Sequence, residues 1–85
     1  MKLTPTQKRL LFHFNSGKTL SIKTMWQVRI SNCSREIRRQ LEIPFGIELQ
    51  RETIRWKDSF GSGYYFEYSL NPSDLEKING ILKAS

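Results

Sequence analysis

An asparagine and three arginines lie within eight residues of one another near the middle of the chain, at Asn32, Arg35, Arg38 and Arg39. Arginine donates two parallel hydrogen bonds to a planar acceptor, and the asparagine amide both donates and accepts. These two side chains pair bidentately with the edges of guanine and adenine. A helix that held them on its outer face would present the chemistry of a nucleic-acid reader.

The side chains that catalysis requires are scarce. His13 is the only histidine, and its apolar neighbours favour a place on the flank of a helix over work as a general base. Cys33 is the only cysteine, so these 85 residues complete neither a histidine-based nor a thiolate metal site. The segment 61–63, Gly-Ser-Gly, lacks the lysine and helix that follow a phosphate-binding loop and is interpreted as a turn. We expect no enzyme activity, no cofactor and no metal.

The charge balance favours a polyanionic partner. Fourteen lysines and arginines against eight acidic residues give a net charge of +6, which suits nucleic acid, with an ordinary basic surface as the alternative. A single cysteine excludes an intramolecular disulfide and fits a reducing compartment. No apolar run approaches the roughly 18 residues of a membrane span. We expect one domain over residues 1–85, in the cytoplasm, with no membrane partner.

The first helix is predicted over residues 5–16. Thr4 and Gln7 have the spacing of a capping box, and Pro5 occupies the favoured first position of the helix. Phe12 points away from the apolar stripe of this helix, so it either packs under another element or is an exposed contact. The stripe consists of Leu10, Leu11 and Phe14.

Two further helices are predicted, with a turn of about three residues between them. Ser21 is a candidate cap for the first of these, a short helix whose apolar stripe we assign to the core. That stripe consists of Ile22, Met25 and Trp26. Ser31 is a candidate cap for the next helix, which begins at Asn32 and ends before Pro44 because proline disfavours a helical residue ahead of it.

An angular count sorts the side chains of this third helix. At about 100° per residue, Arg35 and Arg39 lie about 160° and 200° from Ile37, Asn32 lies about 220° away, and Arg38 flanks them. The side predicted to be buried holds Cys33, Ser34, Ile37 and Leu41. A solvated helix face usually mixes charge signs, so an arginine-rich face favours a functional surface.

A β-hairpin is predicted over residues 47–70, with a six-residue tip at 58–63. The apolar positions change phase along the first strand, which predicts a bulge around residues 51–53. A final helix over 72–83 is predicted to pack against the first helix, and pairing with a second copy in a homodimer is the alternative. Its apolar stripe consists of Leu75, Ile78, Ile81 and Leu82.

The order of these elements predicts an α+β fold, a winged helix-turn-helix. The second and third helices, about 21–41, have the spacing of a helix-turn-helix, and the hairpin that follows is the wing. In such a domain the third helix enters the major groove of DNA.

Three short segments, in the order in which they occur, resemble a small winged helix-turn-helix family common among phage and prophage proteins. They are Gly17-Lys18-Thr19-Leu20-Ser21, Ile30-Ser31 and Tyr68-Ser69-Leu70. The resemblance covers residues 10–70 and implies DNA binding by the third helix. Arg29 stands where the family usually has glycine, so a left-handed backbone there would cost roughly 1 kcal/mol. Residues 41–46 also differ from the family's turn before the hairpin.

The resemblance therefore implies a small phage-type regulatory protein that binds double-stranded DNA near the nucleoid of a bacterial cell. Asn32, Arg35 and Arg39 are the predicted base readers. The predicted contacts to the DNA backbone are Lys18, Lys23, Arg29, Ser31, Arg38, Arg55 and Lys57. RNA stays open as a ligand, because an arginine-rich helix also binds RNA.

The alternative function is a protein-interaction module that binds a host or phage protein. Small domains of this kind bind proteins through the hairpin or through exposed aromatic side chains. The candidates are Phe12, Phe60 and Tyr65.

Overall fold

The structure, a computed structural model that describes residues 2–84, is a mixed α+β arrangement with one antiparallel hairpin. The three helices are α1 (Pro5–Asn15), α2 (Cys33–Ile37 as α-helix, Arg38–Glu42 as π-helix and Ile43–Phe45 as α-helix) and α3 (Leu75–Ala84). The strands are β1 (Gln50–Asp58) and β2 (Gly61–Ser69), and 3₁₀ turns occupy Met25–Val28 and Pro72–Asp74. Over the described residues, none of the helices is long and apolar enough to cross a membrane.

The predicted capping box at the start of α1 is confirmed. The Gln7 backbone N–H donates to Thr4 Oγ1 at 3.1 Å, and the Thr4 N–H donates to Gln7 Oε1 at 2.9 Å. The helix ends at Asn15, one residue before the predicted end, and Gly17 adopts φ +80°. The predicted stripe of Leu10, Leu11 and Phe14 is buried.

The predicted second helix is wrong, because the structure forms only the 3₁₀ turn Met25–Val28 in this region. A 3₁₀ turn brings residues i and i+3 onto one side, so Met25 and Val28 face the core while Trp26 lies outside. Trp26 is 70% exposed and Ile22 is 55% exposed, which corrects their assignment to the core. A segment this short does not sustain an α-helix by itself.

Arg29 ends the turn with φ +59° and ψ +45°, which is the left-handed conformation. Its N–H donates to the carbonyl of Trp26 at 3.1 Å. An L-residue in this conformation costs roughly 1–2 kcal/mol, so the surrounding structure holds this turn.

Helix α2 begins and ends differently from the prediction. Its cap is Asn32 and not Ser31, because Asn32 Oδ1 accepts the N–H of Arg35 at 3.1 Å. Pro44 lies inside the last turn, and the helix ends at Phe45, followed by Gly46 with φ +65°. The proline leaves the carbonyl of Gln40 without its usual N–H partner.

Two features accommodate that proline. The wider π turn, in which the Ile43 N–H donates to the carbonyl of Arg38 five residues earlier, gives the ring room. The orphaned carbonyl of Gln40 accepts from the Gln7 side chain of α1 at 3.3 Å. The helix therefore continues past the point where local sequence rules end it.

The hairpin is regular from Gln50 opposite Ser69 to Asp58 opposite Gly61. This continuous register corrects the predicted bulge and shortens the six-residue tip to two residues, 59–60. The apparent change of phase has another cause. Ile47 and Leu49 are buried in the connection before β1, so their alternation does not belong to the strand.

The base of the hairpin is attached to the rest of the fold through Tyr68. Leu20 forms an isolated antiparallel bridge to it, with backbone N–H to carbonyl distances of 2.9 and 2.7 Å. The Tyr68 side chain is buried, and its hydroxyl shares a hydrogen bond with the hydroxyl of Ser34 on α2.

Helix α3 packs against α1, as predicted for the last helix. Asn71 Oδ1 accepts the N–H of Ser73 and starts the turn that leads into it. Ile78 is fully buried, whereas Leu75 is 42% exposed. The buried hydrophobic residues are Leu3, Leu10, Leu11, Phe14, Leu20, Val28, Cys33, Ile37, Leu41, Phe45, Ile47, Leu49, Tyr68 and Ile78.

Candidate nucleic-acid interface

The outer side of α2 carries the four side chains singled out in the sequence. Asn32, Arg35, Arg38 and Arg39 are all exposed. The opposite side is buried through Cys33, Ile37 and Leu41. Ser34, which the angular count places on the buried side, is instead exposed.

Asn32 is partly committed to the fold. Its Oδ1 caps α2 through the Arg35 N–H. Bidentate recognition of adenine needs the amide oxygen as an acceptor as well as the amide nitrogen as a donor. Asn32 can therefore donate from Nδ2 while it caps the helix, but a full bidentate pair would compete with the cap.

The arginines of α2 are poorly neutralised. Arg35 Nε lies 3.8 Å from Glu36 Oε1, and the Arg35 side chain is 56% exposed. Exposed pairs of this kind contribute roughly 0–1 kcal/mol, so Glu36 does not hold the guanidinium strongly. Within residues 2–84, Arg38 and Arg39 have no carboxylate within ion-pair distance.

One side of the hairpin base is attached to α2. Arg51 Nη2 lies 3.5 Å from Glu42 Oε1, and the Arg51 guanidinium carbon lies 5.2 Å from the centroid of the Tyr68 ring. Arg38 and Arg51 also line the same open cleft, together with Glu48. The arginine side of α2 and this side of the hairpin are therefore neighbours.

Strand alternation separates the charges of the hairpin onto two faces. The basic face comprises Arg51, Thr53, Arg55, Lys57, Ser62, Tyr64, Phe66 and Tyr68. The acidic face comprises Gln50, Glu52, Ile54, Trp56, Asp58, Gly61, Gly63, Tyr65, Glu67 and Ser69. The basic face is the one that meets α2, because it contains Arg51 and Tyr68.

The acidic face has its own contacts within the chain. Trp56 lies across Gly63, where an added Cβ would come within 2.8 Å of the indole Cζ2. Lys23 Nζ lies 5.0 Å from the centroid of the Tyr65 ring. Glu52 and Glu67 are directly opposite each other in the register, an arrangement that disfavours a further negative charge nearby.

The predicted backbone-contact residues are all exposed, but they do not form one surface. Arg38, Arg55 and Lys57 belong to the side formed by α2 and the basic face. Lys23 lies over the opposite face of the hairpin through its contact with Tyr65. Lys18 lies beside α1 and the 3₁₀ turn, in shallow clefts that Phe12 and Trp26 also line.

The predicted aromatic contacts differ in what surrounds them. Phe60 at the hairpin tip is 97% exposed and Phe12 is 58% exposed, whereas Tyr65 is half-buried beneath Lys23. Sequence reasoning missed Tyr64 and Phe66, which are 62% and 41% exposed on the basic face. Their alternation with Tyr65 was visible in the sequence, but assigning the faces requires the correct register.

His13 and Cys33 are both held in the interior. His13 Nε2 lies 2.7 Å from the carbonyl oxygen of Thr19. Burial raises the pKa of the Cys33 thiol to about 11, which keeps it protonated at neutral pH. Within residues 2–84, no cluster of three or more histidine, cysteine or acidic residues could hold a metal ion.

Comparison with known proteins adds no relative: no protein-family model, curated protein or solved structure matches this chain. The resemblance to the phage and prophage family stays a prediction. The geometry of the surface is therefore the basis for the functional proposal.

Proposed function

We propose that this chain is a winged helix that binds double-stranded DNA, with α2 in the major groove and the hairpin as the wing. The observation that carries the proposal is that Arg38 of α2 and Arg51 of the basic face line one open cleft, which also holds Glu42 and Glu48, while Arg35 and Arg39 are exposed on the same helix. The major groove of B-DNA, about 12 Å wide, admits an α-helix. Neighbouring phosphates then lie within reach of the wing.

The connections of the fold support the winged-helix proposal. The 3₁₀ turn Met25–Val28 replaces the first helix of the helix-turn-helix, and left-handed Arg29 makes the turn into α2. Leu20 adds a single bridge to β2, which fixes the wing to the segment between α1 and that turn.

Each charged group has a distinct proposed role. Arg35 and Arg39 read base edges, and Arg38 binds a phosphate at the side of α2 nearest the wing. Asn32 contributes a single donor while its oxygen caps the helix. Arg55 and Lys57 bind the DNA backbone, so the affinity should fall steeply with salt as condensed counterions are released.

The test compares two double variants that remove the same charge. Arg35→Ala with Arg39→Ala should weaken duplex binding at least about 30-fold, because each bidentate base contact is worth about 1–3 kcal/mol. Lys8→Ala with Lys83→Ala changes two exposed lysines on α1 and α3 and should stay within about threefold, since distant surface charges are screened. Fluorescence anisotropy with labelled duplex measures both, and equal losses would contradict the assigned face.

The biological role proposed is that of a small phage-type regulator in the bacterial cytoplasm. A single helix contacts only a few base pairs of DNA. Regulation therefore requires that the protein prefer a defined DNA sequence over others. Selection of bound duplexes from a random DNA pool should yield a converged motif. A pool that stays random while binding persists would favour general DNA binding over regulation.

A second candidate function is protein binding, which the exposed aromatic pair of Phe12 and Trp26 favours. These rings are 58% and 70% exposed and lie near Lys18 beside α1. A partner that survives nuclease treatment and is lost with Phe12→Ala, in a protein that shifts no duplex at low salt, would support this function. Partner loss on nuclease treatment would exclude it.

A further inference from the structure

The outer half of the basic face carries two aromatic rings next to cations. Tyr64 and Phe66 have ring centroids 5.8 Å apart at an interplanar angle of 66°, and both remain exposed. Arg55 lies opposite Tyr64 and Lys57 opposite Ser62 on the same face. Tyr64 and Phe66 are two residues apart on β2, so both project from the same face, and the inclined contact between their rings leaves each ring partly exposed.

The two faces of the hairpin differ in what they can bind. Trp56 on the acidic face is about as exposed as Phe66, but its indole covers Gly63 and the next residue on its face is Asp58. Tyr65 already lies beneath Lys23. Of the two hairpin faces, the basic one combines exposed rings with positive charge, which complements a phosphate-linked chain of planar bases.

We propose that Tyr64 and Phe66 stack unpaired DNA bases, so that the protein binds a duplex that continues into a single strand. This inference rests on the proposed function, in which α2 holds the duplex. Bases inside a duplex are covered by their neighbours on both sides, whereas unpaired bases offer a face to an aromatic ring. Stacking on aromatic residues in a cationic groove is the general mode of single-strand recognition.

The geometry argues against the minor groove as the place for these rings. They lie on the broad face of a two-stranded sheet, whereas the minor groove of B-DNA is only about 6 Å wide. Arg55 and Lys57 can bind the backbone of either a duplex or a single strand. The rings therefore determine whether this part of the hairpin binds double-stranded or single-stranded DNA.

The experiment uses three DNA probes with the same short duplex. One is blunt, one carries a mixed-sequence single-stranded extension of about six nucleotides, and one carries an abasic extension with the same number of phosphates. Extensions of both polarities are tested. The protein should bind the base-bearing extension about tenfold more tightly than the abasic one, because each stacked base contributes substantially.

Variants assign that preference to the two rings. Tyr64→Val with Phe66→Val keeps strand-forming residues and should abolish the preference for bases while leaving affinity for the blunt duplex within about twofold. Phe12→Leu, a change to an exposed aromatic residue on α1, should retain the preference. Tyr64→Phe should retain it as well, and circular dichroism confirms that each variant is folded.

The outcomes separate this inference from the proposed function. Equal affinity of the native protein for the base-bearing and abasic extensions overturns the stacking role, even if blunt duplex binds well. Tighter binding to an RNA extension than to a DNA extension overturns the choice of DNA. A protein that binds none of the duplex probes contradicts the proposed function itself.

Discussion

The two faces of the hairpin share one backbone and one register, yet they have opposite charge and different surroundings. The basic face begins at Arg51 and Tyr68, which contact α2, and runs outward to exposed rings and cations. The acidic face covers Gly63 with Trp56 and receives Lys23 over Tyr65. A shift of one strand by one residue would move its side chains to the opposite face and mix the two chemistries, so the pairing itself specifies the candidate DNA surface.

The largest expected effect comes from the point where the basic face enters the core. Tyr68→Ala should reduce the free energy of unfolding by about 3–5 kcal/mol, because it removes a buried ring and its hydroxyl bond to Ser34. That is a large part of the roughly 5–15 kcal/mol that stabilises a typical domain. Urea denaturation measures the change.

The matched control lies on the same face four residues away. Tyr64→Ala removes a ring that is 62% exposed and should cost less than about 1 kcal/mol. Similar losses at both positions would mean that the base of the hairpin is not attached to the core as described.

The next largest expected effect is on DNA affinity and its salt dependence, for variants that remove charges from either face of the hairpin. Arg55→Gln with Lys57→Gln removes two proposed phosphate contacts and should reduce the slope of log affinity against log salt by about 1.8. Affinity should also fall about tenfold at low salt. Glu52→Gln with Glu67→Gln changes the same number of charges on the acidic face.

This acidic-face variant should leave the salt slope unchanged and raise affinity less than about threefold, because its charges lie on the face opposite the proposed DNA surface. Anisotropy titrations at several salt concentrations distinguish the two variants. If both pairs shift the slope equally, the hairpin acts through its overall charge and the basic face has no separate role.

Local sequence rules predicted the parts of the fold whose contacts are local. The capping box joins Thr4 and Gln7, which are three residues apart. The side chains on the outer side of α2 follow from helical periodicity. Local rules do not distinguish Ser31 from Asn32 as the cap of α2, because serine and asparagine are both good N-cap residues. Asn32 prevails, and its proposed role in reading bases is reduced as a result.

The failures involve partners that are distant in the chain. Helix α2 passes Pro44 because Gln7, on another helix, satisfies the carbonyl of Gln40. Assigning side chains to the two faces of the hairpin requires the correct length of its tip. The predicted bulge changes the alignment of the two strands, so the position of Tyr64 opposite Arg55 does not follow from it. Sequence periodicity assigns faces only after the pairing is known.

The smallest expected effect tests how the acidic face is covered, by comparing two glycines. In Gly63→Ala the new Cβ would lie within 2.8 Å of the Trp56 indole, so the ring must move and stability should fall by up to about 1 kcal/mol. In Gly80→Ala the new Cβ meets no atom within 4 Å, and alanine should stabilise α3 by about 0.5–1 kcal/mol. With Trp26→Phe in the background, Trp56 fluorescence should shift to the red only in Gly63→Ala. An unchanged emission spectrum, or a gain in stability equal to that at Gly80, would show that the indole does not cover this glycine and that the acidic face is as open as the basic one.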